Sequence, residues 1–422
     1  MSLRVGIDFG TSNSAAAIPG ADVSEPAQVL SLDPHGEDPR LFRSALFFPE
    51  HEKDVFAGGE AILRYLEDDE GRFIQSVKTF LPSASFTATE IRRRSYKLEA
   101  IVALVLQRMR ARIEELTGST IDKVVFGRPA VFSPDPEKDA LAQDRLTRSA
   151  ELAGFPTPTF VIEPIAAALG YEAGLDRDEW VLVGDFGAGT SDFTLMRLGP
   201  SRRGVIDRRE DVVASGGVYI GGDKFDAALV EHRLLPRFGE GATYLAGATS
   251  QRPLPLPTWM PRRVLAWHEL MLLRERSTLE FLRNAIDTSD RPSDVENLLR
   301  LVEENLAFHL YRAVERAKRE LGERDEAVIQ FSEGDIELEE RVTRAEFEAW
   351  TAPLRQSLEE TVDGVLARAG GVQPDTVFLT GGTSKIPSVR ALFERKFGAE
   401  RLRSGDAFTS VVAGLGRAAA TL

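Results

Sequence analysis

A short apolar run that ends in Asp-Phe-Gly and a tight turn occurs twice in this chain, and nothing else in the sequence restricts the fold as much. The first copy is Leu3–Ile7 followed by Asp8-Phe9-Gly10-Thr11-Ser12-Asn13, with a strand-like run, Ser14–Ile18, beyond it. The second is Trp180–Val183 followed by Gly184-Asp185-Phe186-Gly187-Ala188-Gly189-Thr190, with Phe193–Leu198 beyond it. A repeat so widely spaced implies two related halves of one architecture, because solenoid repeats recur within about 20–50 residues.

Each turn brings a carboxylate to a bend whose backbone N–H groups are uncovered. Gly10 and Gly187 let that backbone approach an anion, and Thr11 and Thr190 add hydroxyl donors. One such turn reads equally as a plain hairpin. Two of them, with Asp192 as an extra acid, read as a clamp for a polyphosphate and a magnesium ion, which prefers carboxylate and water oxygens. A third glycine turn, Leu379-Thr380-Gly381-Gly382-Thr383-Ser384-Lys385-Ile386, stands at a strand-to-helix junction and reads either as a flat surface for a nucleoside or as an ordinary connection. The Gly216-Gly217 and Gly221-Gly222 pairs are turn signals first.

Between and after these turns, strands alternate with helices, which predicts sheets with crossover connections. Tyr96–Leu116 has apolar residues at helical spacing and a stop at Thr117-Gly118. Lys123–Gly127 and Thr159–Ile162 read as strands, Glu137–Ala153 and Pro164–Ala173 as helices. In the second half Phe225–Leu235 reads as a helix, Gly239–Arg262 as an irregular proline-rich stretch, and Val264–Leu321 as mostly helical. Thr343-Arg344-Ala345-Glu346 has the pattern of a capping box. Helices are expected at Pro387–Phe397 and around Val411–Ala420.

The length of 422 residues suggests more than one packed unit, and 43% hydrophobic with 28% charged residues is ordinary for a soluble protein. The formal charge of −14 argues against nucleic acid or an anionic membrane as a partner. There is no cysteine, so thiolate metal sites and disulfides are excluded, and the five histidines form no metal-ligand pair. With no charged-then-apolar leader at the N-terminus and no membrane-length apolar run, a cytoplasmic location is expected.

The motifs taken in order resemble the DnaK chaperone family, within the superfamily that also holds actin and the sugar kinases. They are Ile7–Ser14 (IDFGTSNS), Val124–Ala130 (VVFGRPA), Glu163–Tyr171 (EPIAAALGY), Gly184–Leu195 (GDFGAGTSDFTL), Gly221–Asp226 (GGDKFD), Val314–Leu321 (VERAKREL) and Leu379–Pro387 (LTGGTSKIP). The resemblance implies an α/β, actin-like ATPase fold of the ribonuclease H-like kind. It would have two lobes, each a mixed sheet flanked by helices, with a nucleotide cleft between them. Lobe I would be residues 1–185, with a core of 1–35 and 111–185 and an inserted subdomain at 36–110. Lobe II would be residues 186–422, with a core of 186–226 and 343–422 and an insertion at 227–342.

The resemblance also implies the ligand and its contacts. ATP or ADP with magnesium would be bound by Gly10, Thr11, Ser12 and Asn13 in the first loop and by Gly187, Ala188 and Gly189 in the second. Gly221, Gly222, Asp223, Glu315, Lys318, Arg319, Gly381, Gly382, Ser384 and Lys385 would contact the nucleotide elsewhere. Asp8, Asp185 and Asp192 would serve the metal. Lys78, Glu163, Asp185 and Thr190 would carry slow ATP hydrolysis that drives a conformational switch for an unidentified protein partner or client. On residue chemistry alone, Glu315 and Arg319 also fit an intrahelical ion pair, and Glu163 a charge at a helix N-terminus.

Departures from the family pattern are specific. Ala188 stands for a glycine, Gly322 for a serine and Lys385 for an arginine that would stack on the base. The sequence ends at Leu422 with no expected C-terminal peptide-binding domain. With Asp207-Arg208-Arg209-Glu210, Ser410–Leu415 and the long Gly239–Leu301 segment, it is similar to the truncated YegD-like group. A small-molecule kinase, a filament-forming scaffold and a binding-only scaffold are the other readings. Arg252–Pro261 reads as a stiff surface loop or a docking strip.

Overall fold

The computed structural model describes residues 3–20, 25–67, 71–133, 135–203, 205, 208–246, 252–265, 270, 273–405 and 409–421. Asp207 lies outside them. The chain divides into two compact units. One comprises residues 1–219, 358–384 and 391–422, and the other residues 220–357 and 385–390.

The first unit is built on two sheets of the same design. Strand β1 (Leu3–Asp8) runs antiparallel to β2 (Asn13–Ile18), which pairs with the short β3 (Gln28–Val29). On the other side of β1 lie the parallel strands β4 (Ile121–Arg128) and β5 (Thr159–Ile162). The order is β5-β4-β1-β2-β3. Val5, Ile7, Val124, Val125 and Phe126 are buried, as strands covered on both faces require. The second sheet repeats this with β6 (Glu179–Phe186), β7 (Ser191–Leu198), β8 (Val212–Val218), β9 (Thr376–Gly381) and β10 (Leu402–Ser404). Its order, β8-β7-β6-β9-β10, matches the first strand for strand, with the hairpin β6–β7 in the place of β1–β2.

Helices cover these sheets where the apolar spacing demands it. Helix α1 (Leu98–Thr117) buries Leu98, Ile101, Val102, Val105, Leu106, Met109 and Ile113 along one stripe. It stops at Gly118, whose φ of 63° no bulkier residue adopts cheaply and whose N–H donates to the Glu114 carbonyl. Helix α2 (Pro136–Leu152) starts at Asp135, whose carboxylate accepts the Glu137 N–H, with Pro136 in the first turn. Helix α3 (Glu163–Glu172) follows β5 without a loop, and α4 (Ser410–Ala420) lies near the C-terminus.

Small residues let α4 sit against its neighbours. A Cβ on Gly414 would lie 1.8 Å from the Ala166 carbonyl oxygen of α3, and one on Gly6 of β1 would lie 2.3 Å from the Leu415 carbonyl carbon. The two helices and the sheet therefore meet backbone to backbone.

In the second unit the expected helix at Phe225–Leu235 begins earlier, as Gly222–Leu229, and loosens into a π-helical stretch at Val230–Leu234. The expected irregular stretch from Gly239 is corrected in part. Thr243–Leu245 pairs antiparallel with Pro253–Pro255, and the chain tolerates prolines there because the ribbon has only two strands and a free edge. The helical segment resolves into Arg276–Ile286, Pro292–Glu303 and Ala307–Glu323, with residues 266–269 and 271–272 outside the described set. Thr343 and Glu346 form the expected capping box.

Candidate functional site

Both Asp-Phe-Gly turns belong to the first unit, at corresponding hairpins of the two sheets. In the first, a Cβ on Gly10 would lie 2.0 Å from the Asn13 carbonyl oxygen, so only glycine fits. A closed ring of hydrogen bonds fixes the turn. The Gly10 N–H donates to Ser14 Oγ (3.2 Å), the Ser14 and Ser44 hydroxyls are 2.8 Å apart, and Ser44 Oγ donates to the Gly10 carbonyl at 2.8 Å. Thr11, Ser12 and Asn13 remain partly exposed on that rigid base.

In the second turn the Gly187 N–H donates to the Thr190 carbonyl (2.9 Å) and Thr190 Oγ1 donates to Asp192 Oδ2 (3.1 Å). A Cβ on Gly189 would meet nothing within 4 Å, so the turn opens onto free space. Asp185 and Asp192 face one another across the hairpin β6–β7. Gly217 on β8 pairs with Asp192, and a Cβ there would lie 2.3 Å from Asp192 Oδ1. Gly217, part of a mere turn signal in the sequence, is thus the space in which the Asp192 carboxylate sits, whereas Gly216 makes room for Arg368.

Lys78 and Glu163 complete the group. Lys78 stands in a short 3₁₀ turn, Val77–Phe80, and Glu163 at the first position of α3. Their Nζ and Oε1 atoms are 2.8 Å apart, with about an eighth of each side chain exposed (13% and 12%). Gly127 of β4 lies beside Glu163, leaving 3.1 Å between a built Cβ and its Cγ.

The electrostatics follow from four carboxylates sharing one lysine. Burial, reinforced by the charge of Glu163, pushes Asp8 up to about 7 despite Lys78. Burial together with Glu163, Asp192 and Asp8 pushes Asp185 up to about 8. Asp192 rises to about 6, chiefly from burial, with the Thr190 hydroxyl opposing. Burial alone would lower the Lys78 ammonium, but Glu163, Asp8 and Asp185 outweigh it and hold the pKa above its ordinary value. The cluster lacks positive charge. Among the described residues no three carboxylate or histidine groups converge closely enough to ligate a bare ion.

Gly381 and Gly382 stand at the end of β9. Gly381 has a φ of 86°, and a Cβ there would lie 2.1 Å from the Phe186 carbonyl oxygen on the neighbouring strand. Ser384 Oγ donates to the Gly381 carbonyl at 2.6 Å, closing the 3₁₀ turn Gly382–Lys385.

Gly221, Gly222, Asp223, Glu315, Lys318, Arg319 and Lys385 belong to the second unit. Lys318 Nζ donates to Asp226 Oδ2 at 2.6 Å and to the Gly222 carbonyl at 3.3 Å, tying the helix Ala307–Glu323 to the helix Gly222–Leu229. Burial pushes Asp223 and Asp226 each up to about 6; Lys318 opposes in both, and Asp226 adds to the rise at Asp223. Asp226 was not singled out from the sequence, although it sits one turn after Asp223 on the same helix, a spacing that could have marked it.

The comparisons with known proteins agree with this architecture. A family model described as Hsp70 protein matches residues 73–242 and 294–420. The chain is 27% identical to the "Chaperone protein DnaK" of Thermosipho africanus over 99% of its own length and 59% of that protein. It is 27% identical to the protein of the same description from Thermosipho melanesiensis, over 94% of this chain and 55% of the relative. For the one from Thermotoga petrophila the identity is 26%, over 99% and 59%. The chain therefore spans somewhat more than half the length of these relatives. The duplicated sheets are those of the actin-like ATPase fold, and the chain belongs to the Hsp70 protein family.

Proposed function

We propose that this chain binds ATP with magnesium and hydrolyses it slowly, using the cleavage as a conformational switch. One observation carries the reading: Asp8, Glu163, Asp185 and Asp192 crowd around a single lysine beside two duplicated, glycine-bent turns. Buried carboxylates raised toward neutral pH need more cation than Lys78 supplies, which is the environment a hydrated divalent ion relieves. Asp8, Asp185 and Asp192 would hold magnesium through its waters, in keeping with its reluctance to dehydrate. When bound, the ion neutralises charge on the phosphate oxygens.

The protein's own groups would do the rest. Backbone N–H groups and hydroxyls of Gly10–Asn13 and Gly187–Thr190 would cradle the phosphates. Lys78 would face the terminal phosphoryl group and offset its charge, while Glu163 and Asp185 would orient the attacking water. Gly381, Gly382, Ser384 and Lys385, with Gly221, Gly222, Asp223, Glu315, Lys318 and Arg319, would contact the rest of the nucleotide.

The strand-for-strand duplication supports two lobes, residues 1–185 and 186–422, with insertions at 36–110 and 227–342. Relatives described as chaperones support a protein client or partner for the switch. Lack of cysteine suits a reducing compartment and supports a cytoplasmic site of action. Among the described residues no helix is long and apolar enough to cross a membrane.

Calorimetric titration with ATP and with ADP, each with and without magnesium, tests the reading on the wild type, Asp8→Ala and Asp185→Ala. Magnesium-dependent binding that collapses in both variants is expected. A folded wild type that binds neither nucleotide would overturn it.

A further inference from the structure

Lys78 sits in a turn of only four residues just beyond the strand Gly71–Gln75, yet its ammonium must stay within reach of Glu163. Nothing in the turn itself is stiff enough. It opens at Ser76, a non-glycine residue held at a φ of 57°, and a 3₁₀ turn this short has only a few i to i+3 hydrogen bonds of its own. The partner comes from α2. Arg145 is only 5% exposed, and its Nη1 meets three carbonyls of this segment: Phe80 at 3.3 Å, Leu81 at 3.0 Å and Ser83 at 2.9 Å. The Leu81 N–H in turn donates to the Lys78 carbonyl at 3.2 Å. Glu99, in the first turn of α1, lies 3.5 Å from Arg145 Nε and pairs with the guanidinium charge.

We propose that Arg145 is a positioning residue for Lys78: its guanidinium, anchored by Glu99, caps the 77–83 segment and thereby holds the lysine ammonium against Glu163. The assignment rests on the ATPase reading only for its consequence in turnover. The positional claim concerns this chain's own atoms. All three contacts are made by one nitrogen, whose two N–H groups the planar guanidinium fixes among the carbonyls. A buried arginine here costs desolvation that the carbonyls and Glu99 offset; its removal takes the side-chain donor from the Leu81 carbonyl and leaves Phe80 and Ser83 with only the Ser83 and Phe86 N–H groups.

The first test needs no nucleotide. Competitive acetylation of the full-length protein, read lysine by lysine by mass spectrometry, reports how tightly each ammonium is held. In Arg145→Met, Lys78 is expected to label about tenfold faster than in the wild type, the scale of one lost charge-assisted hydrogen bond. The exposed Lys53 should be unchanged. Arg145→Lys and Glu99→Gln should give intermediate rates, and they carry the test if the methionine variant does not fold. An unchanged Lys78 rate in folded variants overturns the proposal.

The second test is a cycle on ATP turnover with Arg145→Met, Lys78→Ala and the double variant. Arg145→Met should lower kcat more than it changes KM, and should cost nothing further once Lys78 is gone. Additive losses would mean a general structural role and would also overturn the proposal. If the wild type turns over no ATP, the ATPase reading falls, while the labelling rates still decide the role of Arg145.

Discussion

Neutralising Asp185 should make the protein more stable while destroying its site. In the unfolded chain this carboxyl ionises near 3.8, and in the folded protein near 8. Between those values the unfolded state sheds a proton that the folded state keeps. The folded state thus has its full relative stability below about pH 4, loses it progressively as pH rises, and loses no more beyond about pH 8. The gap is about four units at roughly 1.4 kcal/mol each, on the order of 6 kcal/mol above pH 8 and on the order of 4 kcal/mol at pH 7. Glu163, Asp192 and Asp8 share this cost through their mutual repulsion with Asp185, so one substitution recovers about half, roughly 2–3 kcal/mol at pH 8. Asparagine has the shape of the protonated acid and gains nothing by ionising when unfolded. Urea denaturation of wild type and Asp185→Asn, without nucleotide or magnesium, should give nearly equal stabilities at pH 4 and a clear advantage to the variant at pH 8. The same variant should fail to bind magnesium nucleotide. A variant less stable than wild type at pH 8, or a difference that is the same at both pH values, would refute the electrostatic account.

Three further outcomes follow from contacts outside that carboxyl. Gly217→Ala puts a methyl 2.3 Å from Asp192 Oδ1, so it should cut ATP turnover at least tenfold while the urea midpoint moves little, because the side of the hairpin that yields is the carboxylate. Gly414→Ala forces α4 away from the Ala166 carbonyl, now 1.8 Å from the new Cβ, and should cost about 1–3 kcal/mol in urea denaturation. Arg208, almost fully buried, donates to Glu172 at 2.8 and 3.1 Å and also pairs with Asp211. Arg208→Met leaves Glu172 buried without its cation, while Asp211 keeps Arg202 at 2.6 Å, and should cost about 3–5 kcal/mol, of which adding Glu172→Gln should restore a measurable part.

What the sequence disclosed depended on the range of each interaction. The two Asp-Phe-Gly hairpins, α1, α2 and the capping box at Thr343 were legible because local patterns decide them: two-residue alternation, helical spacing, a side chain reaching three residues along. The same holds for the repeated sheet order, since a duplicated motif predicts a duplicated sheet. Gly217 was read as a turn glycine because its partner, Asp192, is on a neighbouring strand whose register no local pattern gives. Lys318 looked like one face of a helix shared with Glu315 and Arg319, yet its shortest contact is Asp226, on a helix far away in sequence. The strand at Pro253–Pro255 was hidden because proline normally speaks against a ladder, and only a two-stranded ribbon makes room for it.

The residues that hold the candidate site differ from those that line it. Lys78 and Glu163 are joined by one short ion pair, and each is fixed from a different direction. The lysine's turn is capped by Arg145 on α2, and the glutamate's helix is tied at its far end, where Arg208 binds Glu172 and Arg203 donates to the Glu172 and Ala173 carbonyls. A pair held at both sides by buried arginines can keep its geometry while the charges around it change, which a cluster of mutually repelling carboxylates could not do unaided. That division fixes the order in which damage should appear: losing an arginine moves the lysine or the helix first, and the carboxylates only follow.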